Sequence, residues 1–413
     1  MTVIAMGYLF WFQSCDITQS IDSNSPPELT SSQVAYAIVN EPFTYTASAK
    51  DQDDDPVEFT YSQLPPWLKA EGNTVSGVPT VTGNTPFMVT ANDGQGGQVS
   101  QTVKVFVSAS DTTVFDDIIA AVKLDSLLRT VGQLLGTEWI MIDGTSSVIH
   151  ARYWEFFGAL LAGKWLRERL EGFGLLANMQ NYMEKGNNPY AIQPGVEFPD
   201  SIYIVSAHYD CLPANRSSPG ANDNASGVAA VVEAARILSQ YQTRYTIFYA
   251  LWDMGEYGRR GSKGFARQAR SCGLHIAGVI DLDMIAWSQQ GTKNLMLHSS
   301  AVRNSDYMAD IIQYVNERFG LGLNLLETHD SPQLDFASFW QYDYGAVGLN
   351  QVSTAYYEDL LHTQADTIDK FDLPFYHSVA RLATGSLAHL AQVVDTAVPA
   401  KGIGPILGCT PTR

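Results

Sequence analysis

A chain of 413 residues that is 45% hydrophobic and 11% aromatic can bury a large core, which excludes disorder as its main state and points to more than one domain. With 43 acidic against 25 basic residues, its formal net charge of −18 would repel a phosphate backbone, so no nucleic-acid partner is expected. No uninterrupted apolar run reaches the roughly 18 to 20 residues needed to span a bilayer.

In chain order, residues 1–23 come first: MTVIAMGYLFWFQSC, then the polar stretch DITQSIDS. An apolar run followed by a tether reads as an export signal and predicts an extracellular or cell-surface protein. Cys15 would then be the first mature residue, and a lipid on it the only membrane contact. Ser14 suits a lipoprotein signal, whereas Phe12, Gln13 and the missing basic leader do not. The alternative is an apolar N-terminal segment that stays on the chain and packs against its own domain or a neighbouring subunit, which predicts self-association into a polymer. Cys15, Cys211, Cys272 and Cys409 have neither the number of a disulfide scaffold nor the paired spacing of a structural zinc site. Asn215-Arg216-Ser217 meets the N-glycosylation sequon, a three-residue match that is common by chance.

Residues 24–109 are rich in Thr, Val, Ser and Gly. Phe43 to Ala47, Val57 to Tyr61, Phe87 to Ala91 and Val99 to Val107 read as strands, separated by QDDDP and NDGQGG turns, so an all-β sandwich is expected. The landmarks Pro26-Pro27, FTYTASAKDQDDDPVEFTYSQLPPWL, VSGVPT and FMVTANDGQGG resemble the immunoglobulin-like, cadherin-related domains of bacterial surface proteins. That resemblance implies adhesion, spacing or assembly. Asp51, Asp53, Asp54, Asp55 and Asp93 offer carboxylates suited to calcium; the alternative is a solvated acidic turn.

Residues 110–396 have a different texture. Asp116 to Leu135 and Tyr153 to Gly172 carry apolar residues at helical spacing, whereas Ile202 to Ala207, Thr246 to Trp252 and Ile276 to Leu282 are short apolar runs that read as strands. SGVAAVVEAARILSQ between the first two strands reads as a helix. The alternation predicts an α/β fold, a mainly parallel sheet with helices on both faces, with chemistry beyond the carboxyl ends of the strands. Residues 397–413 show no periodicity and read as a C-terminal tail.

Potential metal ligands fall at those strand ends. His208 and Asp210 stand in SAHYD, Asp223 in PGANDNASG, Glu256 in LWDMGEYG and Asp283 in IDLDM, with His362 later in LLHTQADT. Two histidines and three carboxylates suit a pair of zinc ions with one carboxylate bridging. Singly these are weak signals, since an Asp before a helix is by default an N-cap. Together their order resembles the co-catalytic zinc aminopeptidase family, which also holds the glutamate carboxypeptidases and the transferrin receptor.

The resemblance runs from about Asp116 to Gln392. It implies His208 and Asp283 on one zinc, Glu256 and His362 on the other, and Asp223 as the bridge. It also implies Asp210 as the carboxylate that orients His208. Active relatives carry two successive glutamates after the second strand, the first acting as general base. Here that position is Gly255, which has no proton acceptor; Asp253 is the nearest substitute, and Gly255→Glu the direct repair. Asp335 is kept in LDFASFW, but Phe336 replaces a hydrogen-bond donor, and Arg259-Arg260 replace an apolar pair. Two readings follow. One is a zinc-binding, catalytically impaired module for a peptide or protein ligand, with a filament subunit as one form. The other is an active exopeptidase with a relocated base.

Overall fold

The computed structural model describes residues 24–396, apart from 82, 109–111, 154, 156, 184–185, 213–218, 290, 330–333 and 354–358. The N-terminal segment with Cys15, the sequon at Asn215 and the tail with Cys409 lie outside the described residues. The chain divides into two compact units between Phe106 and Val107, three residues earlier than the composition shift indicated.

The first unit is the expected sandwich. One sheet orders Val34–Ile38, Gln98–Ser108, Gly83–Asn92 and Glu58–Ser62; the other orders Phe43–Thr46, Thr74–Gly77 and Leu68–Glu71. Phe87, Val89 and Ala91 alternate with more exposed neighbours and are fully buried, as one face of a half-buried strand requires. Tyr45 meets Phe87 edge-on at 5.5 Å between ring centroids. Burial of a ring such as Phe87 contributes about 2–3 kcal/mol.

The second unit is built on eight strands: β1 Leu176–Asn181, β2 Asn187–Gln193, β3 Phe198–His208, β4 Tyr245–Trp252, β5 His275–Asp283, β6 Asn294–His298, β7 Asn324–Thr328 and β8 Ala346–Gln351. Their order is β1-β2-β4-β3-β5-β8-β6-β7. The centre, β4-β3-β5-β8, is parallel throughout, while β1, β2 and the β8-β6 junction are antiparallel, so the mainly parallel reading holds for the core of a mixed sheet. β4 is buried from Thr246 to Trp252, because helices cover both of its faces.

The helices are α1 Thr112–Ala120, α2 Leu124–Leu134, α3 Phe157–Glu171, α4 Ser226–Leu238, α5 Arg260–Ser271, α6 Ser305–Arg318, α7 Ala337–Trp340 and α8 Leu373–Ala391. The single helix expected over Asp116 to Leu135 is two. The chain breaks at residues 121–123, where Glu233 accepts the Lys123 N–H at 2.9 Å and Arg236 donates to the Ala121 carbonyl at 2.9 Å, satisfying backbone groups that a continuous helix would have used. Helix α3 begins at Phe157, four residues later than Tyr153. On one face of the sheet Ile202, Ile204, Phe248 and Trp252 pack with Phe265 of α5 and Phe339 of α7; α4 and α8 pack together and α4 contacts β3, β4 and β5. The small residues of α4 (Gly227, Ala229, Ala230, Ala234 and Ala235) allow that close approach.

Candidate metal centre

β3 and β5 run parallel, so their last residues, His208 and Asp283, emerge at the same edge of the sheet. Asp223 lies in the turn that leads into α4, and Glu256 lies in the loop after β4. These elements bring the expected ligands together in two triads, His208–Asp223–Asp283 and Asp223–Glu256–His362. Asp223 belongs to both. Its Oδ1 is 3.3 Å from His208 Nε2, and its Oδ2 is 3.1 Å from His362 Nε2. His208 Nε2 is 3.4 Å from Asp283 Oδ1, and His362 Nε2 is 3.1 Å from Glu256 Oε1.

These distances suit a cation better than hydrogen bonds. Ligand atoms about 2.1 Å from a tetrahedral zinc stand about 3.4 Å from one another. Glu256 Oε1 and Asp283 Oδ1 are buried, and despite their nearness to imidazole nitrogens neither makes a hydrogen bond of acceptable geometry. Buried carboxylate oxygens left this way cost free energy unless something positive meets them. The electrostatics agree. Burial and then Asp223 push Glu256 up to about 8. The carboxylates of Asp223 and then Glu256, close to its ring nitrogen, push His362 up to about 10. Burial opposes charge on both His208 and Asp223, yet the surrounding carboxylates hold His208 well above its ordinary value and the two histidines hold Asp223 well below the carboxylate range. The ligand set demands positive charge at its centre, and the residues present fit zinc.

Residues around the ligands hold them in place. His208 Nδ1 faces Asp210, 3.2 Å from its main-chain carbonyl and 3.3 Å from its carboxylate, so Asp210 takes the orienting position expected of it. Asp366 accepts the N–H groups of Asn222 and Asp223 at 2.8 and 3.1 Å. Buried Arg152 donates to four carbonyls, of Leu134, Tyr209, Pro219 and Gly220, fixing the chain on both sides of the stretch between His208 and Asp223. Nothing in the sequence around Arg152 or Asp366 signals these roles, since each acts through backbone atoms of distant residues.

The base position is closed as well as empty. Gly255 donates its N–H to Asp210 Oδ1 at 2.8 Å, and a Cβ built there would stand 2.4 Å from His208 Cβ and 2.5 Å from its Cγ. Gly255→Glu therefore has no room unless a metal ligand moves, which overturns the direct repair expected from sequence. Asp253, the substitute base, belongs to neither ligand triad. Its oxygens accept the N–H groups of Asn187 and Met254, each at 3.0 Å, and burial followed by Asp210 pushes it up to about 7. Asp335 is buried and accepts from Ser262. Phe336 is fully buried, with its ring stacked on His298 at 5.3 Å and edge-on to Trp340 at 4.8 Å, so it is a core residue.

A third triad, Asp306, Glu327 and His329, is exposed. The candidate calcium ligands act mainly as turn caps. Asp51 accepts from the N–H of Asp53 and Asp55, Asp53 from that of Ser25, and Asp93 from those of Gln95 and Gly97 and from the Asn24 amide. Among the described residues these aspartates form no ligand triad.

The family model described as Peptidase family M28 matches residues 190–386, which holds every ligand. This part of the chain is M28-like. Residues 26–108 match the model described as "Putative Ig domain". A probable zinc metalloprotease of Pyrenophora tritici-repentis is 29% identical over 196 residues, 42% of this chain and 44% of that protein. The chain spans less than half the length of the curated relatives it matches. In fold, the chain is similar to the LapA aminopeptidase of Legionella pneumophila (TM-score 0.58, 17% identity, 68% of this chain and 75% of that one). It is also similar to an aminopeptidase from Aneurinibacillus sp. strain AM-1 (TM-score 0.55, 13% identity, 70% and 98%).

Proposed function

We propose that this protein is an M28 unit that binds two zinc ions and is impaired in hydrolysis, serving as a binding or structural module for a peptide or protein ligand. The observation that carries the proposal is Gly255: the general-base position lacks an acceptor and is packed against His208. His208 and Asp283 would hold one zinc, Glu256 and His362 the other, and Asp223 both. Zinc bound there polarises a carbonyl and acidifies water. Proton removal from that water is left without a placed residue, and loss of a general base typically costs about two to four orders of magnitude in rate. Asp210 and Asp366 keep the ligands oriented. Phe336, turned into the core, donates nothing to a substrate.

An active exopeptidase using Asp253 is the second reading. Its support is the carboxyl pushed up to about 7, within the range of a general base. Against it stand the two backbone N–H groups that already occupy that carboxylate. Aminoacyl and peptide substrates, assayed on zinc-replete protein, separate the readings: turnover near background supports the first, and robust zinc-dependent turnover supports the second.

The same proposal puts the protein outside the cell or on its surface, with self-association into a polymer as the role of the apolar N-terminal residues. An Ig-like unit joined to a peptidase-like one supports a surface role, and intact-mass and sedimentation analysis of native material tests it. A soluble monomer that retains Met1 to Phe12 would contradict both export and assembly. Calcium at the Asp51–Asp55 turn is supported by one buried oxygen, Asp51 Oδ2, that lacks a hydrogen bond. Added calcium should then raise the unfolding temperature of the Ig-like unit, and an unchanged temperature would remove the ion.

A further inference from the structure

A cavity of about 690 Å³, within the range of small-ligand sites, lies at the other end of the central strands from the metal ligands. His275 lines it and opens β5, whereas Asp283 closes that nine-residue strand, so the two ends stand on the order of 25 Å apart.

Its walls are aromatic. Tyr203, Tyr245 and Tyr344 line it; Tyr203 and Tyr245 meet edge-on at 5.5 Å, and Phe198 stacks on Tyr245 at 4.8 Å. Some of its polar groups are already engaged. The Tyr344 hydroxyl donates to the Leu274 carbonyl at 3.1 Å, Asn304 donates to Ala277, Arg303 is ion-paired with Asp343, and His275 Nδ1 shares a hydrogen with Ser201. Other groups remain unspent. The Arg270 guanidinium and the hydroxyls of Tyr203 and Tyr245 make no hydrogen bond among the described residues, and His275 keeps its Nε2. Asp343 pairs with Arg303 and also feels Arg270, so two guanidinium groups face one carboxylate and the cavity keeps a net positive charge in a chain whose net charge is −18.

We propose that this cavity is a second ligand site, separate from the metal centre, that takes a small aromatic carboxylate. An excess of one positive charge matches a monoanion, and the planar fork of Arg270, which makes no hydrogen bond among the described residues, pairs with a carboxylate through two parallel N–H···O bonds. The tyrosine walls supply offset or edge contacts to a ring. The Tyr203 and Tyr245 hydroxyls and His275 Nε2 can hydrogen-bond a ring substituent. The site would let the protein sense or carry such an acid whether or not the metal centre turns over.

The test is an NMR or calorimetric titration of the zinc-loaded full chain with N-acetyl-L-tyrosine as the anionic probe and N-acetyl-L-tyrosinamide as its neutral counterpart. The expected result is saturable binding of one acid per chain, weakened about tenfold or more by Arg270→Gln and by a smaller factor by Arg270→Lys, which keeps the charge but loses the fork. The neutral amide should bind about as weakly as the acid binds the Gln variant. Arg270 is exposed, so its substitution leaves the fold intact, and Tyr245→Ala gives an independent loss through the wall. Chelating zinc should leave the affinity unchanged. Three results would overturn the proposal: no saturation in the millimolar range, equal affinity for the parent and Arg270→Gln, or binding abolished by chelation while Arg270→Gln has no effect.

Discussion

The ligand set and the base position, a few ångströms apart, differ in what they leave unsatisfied. Among the ligands, Glu256 and Asp283 keep buried oxygens without hydrogen bonds, and four nitrogen–oxygen separations of 3.1 to 3.4 Å surround space suited to cations. Around the base position nothing is left over: the Gly255 N–H is taken by Asp210, both Asp253 oxygens by backbone, and the volume by His208. The ligand set carries unmet acceptors, whereas the base position is closed. On the proposed reading, metal binding and water activation come apart here.

The largest test of that separation is Asp223→Ala. Because one carboxylate faces both histidines, zinc measured by elemental analysis should fall from up to two equivalents to near none; loss of only one would end its bridging role. Asp253→Asn probes the other side. A carboxyl whose native value is about 7 keeps a proton that the unfolded chain releases near its ordinary value of 3.8, so its contribution favours folding at low pH and is lost as pH rises through about 7. The parent should therefore lose a few kcal/mol of stability from about pH 4 to 7 that Asp253→Asn does not lose. Urea unfolding across that range measures the difference. Background hydrolysis should be unaltered in this variant, and a drop would make Asp253 a base after all.

Gly255→Glu comes next in size. Forcing a side chain against His208 should cost about 1–3 kcal/mol by overpacking, weaken zinc binding and give no gain in turnover. A metallated variant with turnover raised well above the parent would show that the loop yields where the structure has it packed. The smallest effect belongs to Phe336→Tyr, which adds a hydroxyl among core aromatics and should cost about 1–2 kcal/mol in thermal unfolding without raising hydrolysis.

The ligands were legible because each combines a distinctive residue type with a strand end, and parallel strands gather their ends whatever lies between them. The sandwich was legible through the alternation seen at Phe87, Val89 and Ala91. Gly255 showed in the sequence as a missing acceptor but not as a filled space, since its closeness to His208 depends on how the loop after β4 folds back: Arg259 and Arg260 donate to the Gly255 and Met254 carbonyls at 2.9 and 3.0 Å. Phe336 had two possible directions, and packing against His298 and Gly348 selected the core. The polar edge strand β1 carries no apolar run, and the break at residues 121–123 rests on Glu233 and Arg236, more than a hundred positions away. Long-range polar partners of this kind leave no local pattern.

Zinc content and peptide hydrolysis measured on the same preparation test the separation of binding from catalysis most directly. The account predicts up to two tightly held zinc equivalents per chain together with turnover barely above background on a broad panel of aminoacyl and peptide substrates. Two bound zincs with robust hydrolysis that chelation abolishes, or reconstituted protein holding less than about half an equivalent of zinc, would contradict it.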